Sequence, residues 1–406
     1  MGIQTIPILV NFMKKILFFL LLLFLIAVEI LRVYFIMPFP GSQQQTSLQF
    51  AYWLGKNIIW IRILLLAAIS YPLLSTLQLS KRLTRYILAG SFAIYAVVFY
   101  FVNFRFLADK MFYQPRTKTM QGVKNNSIAK DKLILGLVIN GEARAYPIQL
   151  IGYHHQVRDT VGGESVLVTY CTVCRTGRFY SSQVNGKEEQ FRLVGMDHFN
   201  ALFEDASTKS WWRQVNGAAV AGPLTGQQLR EIPSQQMTLA AWLRQYPSST
   251  ILQPDTIFRE QYDELKAFDK GTVTSKLEKR DSLSWQRKSW VVGIKTNNAA
   301  KAIDWNELVK KRVIEDSLPN LPFLLVLDDD FTSFYCYNRN VLGTTLRFEA
   351  KQVDKQWMLF DTNTGSTWNL LGKCLSGKYQ NTQLSQTPAY QEFWHSWLTF
   401  QPNTTK

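Results

Sequence analysis

The chain has 406 residues, 47% of them apolar, and 45 Lys and Arg against 30 Asp and Glu, a formal charge of +15. That length exceeds a single core, and that apolar share excludes a disordered chain. The positive excess does not point to nucleic acid. It is dispersed, with a denser patch only over residues 276–288, and no array of stacking aromatics or recognition-helix pattern accompanies it.

Three apolar runs come first, near residues 16–37, 58–79 and 86–107. Each reaches the ~20 residues that a helix needs to cross a hydrocarbon layer, and a helix satisfies its own backbone there. Glu29 and Arg32 interrupt the first run late, Arg62 and Pro72 lie in the second, and Arg105 stands near the end of the third. The first run is too long for a signal peptide, and no small-residue cleavage site follows it. Lys14 and Lys15 precede it, Lys81, Arg82 and Arg85 separate the second and third, and the first loop holds little besides Lys56. Positive-inside bias then predicts a cytoplasmic N-terminus and 80–85 loop. Everything after Leu107 is expected outside, periplasmic or extracellular, on a bacterial inner membrane. Arg105, Lys110, Arg116 and Lys118 weigh mildly against that orientation. The expected partner of this region is the lipid bilayer.

The remainder reads as α+β and β-rich. Residues 108–131 look like a tether, 132–253 a first repeat, 254–289 a charged connector and 290–400 a second, degenerate repeat. Asn140-Gly141 and Asn185-Gly186 mark hairpin turns, and Thr238 is placed to cap a helix that Pro247 stops. The order recurs: Trp290 to Lys295 stands where Leu135 to Ile139 stood, and Leu202 to Trp211 reappears as Leu359 to Trp368. Two degenerate tandem pseudo-repeats are therefore expected.

The chemistry-bearing residues gather in the first repeat. Cys171 and Cys174 follow an apolar strand, and His154, His155 and His198 flank them. Thiolate and neutral imidazole are ligands for Zn²⁺ or Cu(I), so Cys171, Cys174, His154 or His155, and His198 could form a soft-metal site. Met196 could add a thioether. A redox dithiol is the second reading, although Arg175-Thr-Gly177 leads into a strand rather than the helix that usually lowers such a thiol's pKa. A structural disulfide in an oxidising compartment is the third. Glu204-Asp205 reads as turn capping, Trp211-Trp212 as core, and His395 as a packing histidine. Cys336 and Cys374 either pair with each other or are buried thiols. Copy two lacks Cys-x-x-Cys and carries Asp328-Asp329-Asp330 instead.

His154-His-Gln-Val-Arg-Asp-Thr-Val-Gly-Gly163, Val168-Thr-Tyr-Cys-x-x-Cys174, Gly195-Met-Asp-His-Phe-Asn200, Trp211-Trp-Arg-Gln214 and Ala221-Gly-Pro-Leu224 stand in one order. Together they resemble domain-of-unknown-function family 3179 over roughly residues 130–250. The family's usual Tyr-Cys-Pro-Leu-Cys is Tyr-Cys-Thr-Val-Cys here, and the second half resembles the same domain in degenerate form. The resemblance marks Cys171, Cys174, His154 and His198 as signature positions and implies no activity. The leading expectation is a membrane-anchored, outward-facing protein that binds a soft metal ion for handling or sensing. A thiol–disulfide oxidoreductase using Cys171 and Cys174 is the enzymatic alternative, and a bridge-stabilised scaffold or interaction module the non-catalytic one.

Overall fold

The three apolar runs fold as helices longer than hydropathy alone marks. The structure, a computed structural model, describes residues 5–44, 47–79 and 81–406. Helix α1 spans Thr5–Tyr34, α2 Leu48–Leu79 and α3 Arg82–Phe104, and all three are long and apolar enough to cross a membrane. Helix α2 begins ten residues before its expected start, and α3 begins four residues early and ends at Phe104, so residues 105–107 lie outside it. Pro72 sits inside α2 without ending it, which membrane helices tolerate. Phe18, Leu22, Leu25, Ile69 and Leu88 form the seam of the bundle. Leu23, Ile59, Trp60, Leu64 and Ile94 point outward, an apolar surface that suits lipid and not water.

The charged interruptions of these helices meet one another. Arg62 Nε donates to Glu29 Oε1 at 2.5 Å and Arg62 Nη2 to Glu29 Oε2 at 2.7 Å. Asn103 Oδ1 accepts from Arg62 Nη2 at 2.7 Å and from Arg32 Nη2 at 2.6 Å. Each helix contributes at least one member, and Glu29 is fully buried.

The chain divides into two units, one of them 1–113 with 191–212 and 219–226, the other holding the rest. The first repeat expected from sequence is thus shared between them. In the membrane unit, a four-stranded sheet runs in the order Ala219–Ala221, Trp211–Arg213, Asn200–Asp205, Phe191–Asp197. Met196 N donates to Ile36 O at 2.7 Å, Phe199 N to Gln43 Oε1 at 3.1 Å, and Gln49 Nε2 to Val220 O at 2.6 Å. A Cβ on Gly195 would stand 2.3 Å from Ile36 O, so only glycine allows this approach.

In the second unit, Leu133–Ile139 pairs with Glu142–Pro147 across Asn140-Gly141 as expected, and Ile148–His154 follows as a helix. Gln156–Val161, Glu164–Cys171 and Thr176–Ser181 then pair as successive antiparallel strands. Thr238 Oγ1 accepts from Ala241 N at 3.1 Å and caps Leu239–Gln245. Similar elements then occur again: the hairpin Trp290–Lys295 with Ala300–Asp304, the helix Trp305–Lys311, the hairpin Leu321–Leu327 with Phe334–Asn338, and the helix Trp394–Phe400. Gly136 lies under the Trp242 ring and Gly293 under the Trp397 ring, where a Cβ would come within 2.5 Å and 2.2 Å. Asp205 caps the turn to Trp212 as Asp361 caps the turn to Trp368. One core joins both halves, with Ile134, Trp242 and Ile251 packed among Leu324, Tyr337 and Trp368.

Two linkers turn out to be built parts. Met120–Gly122, inside the expected tether, pairs with Thr250–Leu252, and Asp255 accepts from Arg116 N and Thr117 N at 2.8 and 2.9 Å. The expected connector buries Phe258, Tyr262 and Phe268. Its aromatics, thinly spaced among charges, give no periodic signal, yet Phe268 packs on Tyr170 and Arg175 of the cysteine hairpin while Phe258 and Tyr262 pack on His154.

Candidate functional site

The turn between Glu164–Cys171 and Thr176–Ser181 carries both cysteines. Arg175 adopts a left-handed φ of 55° and its N–H bonds to Thr172 O at 3.2 Å, which tightens the turn and turns both sulfurs inward. Cys171 and Cys174 are fully buried within one turn, close enough that Cys171 raises the Cys174 thiol. Gln214, from the Trp-Trp-Arg-Gln block, fastens the strands behind them. Its Nε2 donates to Thr169 Oγ1 at 3.0 Å and to Thr176 O at 3.1 Å, while Thr176 Oγ1 donates to its Oε1 at 2.5 Å.

What surrounds the thiols comes from the far side of the sequence. Lys288 Nζ donates to Val173 O at 2.6 Å and to Leu277 O, and lies 3.2 Å from His395 Nε2. Ser396 lies beside Cys174, whose pKa it draws down against burial, and Ser396 Oγ donates to Glu392 Oε2 at 3.1 Å. Glu392 in turn accepts from the buried Arg178. Thr172 Oγ1 donates to Glu278, which straps the connector over the turn. Phe393 N bonds to Cys174 O at 3.0 Å from the terminal strand. Arg175, 1% exposed, stacks 3.9 Å over Trp290 and donates Nε to Gln391 Oε1 at 2.8 Å, and its Nη2 has no hydrogen-bond partner. A buried donor without a partner is costly, as is a buried guanidinium. Such groups collect where a protein does more than pack.

Burial governs protonation here. It pushes the Cys174 thiol well above its usual range, with Cys171 adding to it, so the resting form is the thiol. Burial pulls the Lys288 ammonium down to about 8 and His395 down to about 3, the latter helped by Lys288, so His395 is neutral. Glu392 is raised by burial, with Arg178 opposing. From about pH 8 to the ordinary lysine value of 10.5, the unfolded chain holds a proton that folded Lys288 has released. Stability from this group therefore rises with pH across that window. Lys288→Met is expected to lower the stability-against-pH slope there relative to wild type, read by urea unfolding at stepped pH.

Of the histidines named from the sequence, His155 lies against the thiol strand, its carbonyl accepting from Tyr170 N at 3.0 Å, while the three rings engage other groups. His154 Nε2 lies 2.6 Å from the Tyr262 hydroxyl, edge-on to Phe258. His155 caps its helix at a left-handed φ of 60°, with Nδ1 3.1 Å from Tyr153 O, and burial lowers its pKa to about 4. His198 belongs to the membrane unit, where its Nδ1 lies 2.6 Å from Asp197 Oδ1. Among the described residues, no group of three or more His, Cys, Asp or Glu side chains is placed to hold a metal ion. The five-residue set is therefore not one centre in this structure: adjacent His154 and His155 serve the helix end and the connector, and His198 is fixed by its neighbouring carboxylate. Met196 lies with His198 in that other unit, its N–H on Ile36 O. Cys336 and Cys374 are buried thiols rather than a bridge. His395, read from sequence as packing, is instead the imidazole at the thiol turn. Nothing in the spacing of Lys288, Glu392, His395 and Ser396 announces that they meet Cys171 and Cys174, because more than a hundred residues of chain separate them.

A cavity of about 310 Å³ opens in the same unit between Pro233 to Gln236 and Gln386 to Ala389, with Cys336 in its wall. Ser234 and Gln236 also line a small pocket that ends on Arg178 and Gln391.

A family model described as "Protein of unknown function (DUF3179)" matches residues 112–404, so both halves fall within one match. No curated protein and no solved structure matches the chain.

Proposed function

The chain belongs to the DUF3179 family of proteins of unknown function, and from that premise we propose that it is a membrane-anchored, extracytoplasmic thiol–disulfide protein whose working pair is Cys171 and Cys174. The observation that carries the reading is a pair of fully buried thiols in one turn, with Lys288 Nζ donating to Val173 O between them. In the reaction, the pair passes two electrons and two protons to an oxidised partner disulfide, leaving a Cys171–Cys174 bridge and a reduced partner. A thiolate, not a thiol, must attack. Lys288 is placed to favour that thiolate electrostatically, while burial holds the resting pair protonated. Neither sulfur is exposed, so exchange requires the connector strap at Thr172–Glu278 to lift. The outward placement follows from the basic flanks of the helices, and the recurring order of elements is read as an ancient duplication in which only copy one kept the thiols.

The test equilibrates the full-length protein in detergent with graded glutathione redox buffers, then counts alkylated thiols by mass. A reversible two-electron step confined to Cys171 and Cys174, absent in Cys171→Ser, is expected. Four alkylatable thiols at every ratio would sink the reading, and a bridge that dithiothreitol cannot open would make it structural. The same two sulfurs could also hold a soft ion such as Cu(I), or Zn²⁺ with further ligands. Stoichiometric copper or zinc in purified wild type, lost in Cys171→Ser, would transfer the assignment to metal handling.

A further inference from the structure

We infer that the membrane unit binds the phosphate head group of an anionic lipid in a cavity at the end of its helix bundle. The cavity, of about 370 Å³, is lined by α1 and α2 residues including Arg32, Tyr52 and Lys56, and by the sheet residues Arg192, Lys209 and Trp211. That volume lies in the range of small-ligand sites, ~300–1,000 Å³.

Its charge is unbalanced in a specific way. Asp109 and Glu204 are its carboxylates, and both engage Arg192, at 3.2 Å and 2.8 Å. Arg32, Lys56 and Lys209 make no ion pair among the described residues, which leaves the cavity cationic. Arg32 gives one Nη2 to Asn103, while its Nε is buried with no hydrogen-bond partner. A buried donor of this kind at the wall of a cavity is satisfied by an acceptor that enters it, and phosphate oxygens suit guanidinium donors.

The position selects a lipid over a soluble anion. The cavity lies where α1 ends and α2 begins, at the interfacial level of the bundle. Tyr52 and Trp211 meet edge to face at 5.1 Å beside it, and Tyr and Trp favour that level. Below it, Phe50, Trp53, Ile59 and Trp60 are exposed on α2, an apolar surface for the acyl chains. Basic residues next to a membrane helix attract anionic head groups.

The test places the full-length protein in nanodiscs of phosphatidylcholine with and without phosphatidylglycerol, and follows the thermal midpoint. A parallel arm in phosphatidylcholine alone adds inorganic phosphate. The comparison variant is Lys56→Gln with Lys209→Gln, two exposed side chains, and every shift is read against the same protein's own midpoint in phosphatidylcholine. Wild type is expected to gain several degrees from phosphatidylglycerol, little from inorganic phosphate, and the double variant to lose most of the gain. Equal midpoints in both lipids, or an undiminished gain in the double variant, would overturn the site. Full stabilisation by inorganic phosphate alone would overturn the lipid as its occupant.

Discussion

Replacing Glu392 with Gln is expected to cost the folded β-rich unit about 3–5 kcal/mol, because it leaves a buried guanidinium without its carboxylate. Arg178 and Glu392 are 2% and 0% exposed, and the remaining acid, Glu231, stands 3.4 Å from Arg178 Nε on a more exposed strand. The magnitude reflects the penalty of an orphaned charge rather than the worth of the pair. Burial raises Glu392 even with Arg178 present, whereas against the same burial Glu392 and Glu231 hold Arg178 above its usual value, so desolvation offsets much of the pair's attraction. The exposed Lys311–Glu307 pair is worth only about 0.3–0.5 kcal/mol. Urea unfolding of the full-length protein in detergent, followed by tryptophan fluorescence, measures the loss. Arg178→Gln added to Glu392→Gln should restore a large part of it. A loss below ~1 kcal/mol would mean that Glu231 takes over.

Glu29→Leu carries the second large effect. In the bundle, Glu29 is the acid that accepts from Arg62 while Asn103 bridges to Arg32. Removing it strands positive charge inside the bundle near its interfacial end, where buried ionisable groups are tolerated chiefly as pairs. The expected outcome is a loss of about 3–5 kcal/mol, seen as less protein in the membrane fraction and a lower thermal midpoint. Leucine at both 29 and 62 should recover most of both readouts. If the single variant behaves like wild type, the helices are held by their apolar seam alone.

Much of this architecture is written locally. Asn140-Gly141 specifies its hairpin, Thr238 its helix cap, and Glu204-Asp205 its turn, because each depends on backbone preferences within a few residues. The helix ends were less legible. Lys14 and Trp53 lie outside the apolar runs yet inside α1 and α2, since a helix continues past the point where its side chains stop being lipid-like. The thiol pair was legible as a pair, but not its surroundings. Nothing in Arg287-Lys288-Ser289 distinguishes the lysine that bonds to Val173 O from its charged neighbours. Among the described residues no cluster of three His, Cys, Asp or Glu ligands forms, for a related reason. Proximity in sequence placed His154 near the cysteines, while Tyr262, from a segment read as connector, claimed its ring nitrogen.

The strap over the cysteine turn has a consequence for any shorter form of the chain. A gene fragment ending before residue 254 would encode both thiols yet supply none of Glu278, Lys288, Glu392 or Ser396. Such a fragment is expected to leave the Cys171–Cys174 turn without its strap and its buried lysine, so the thiols depend on the distal half of the chain for their surroundings.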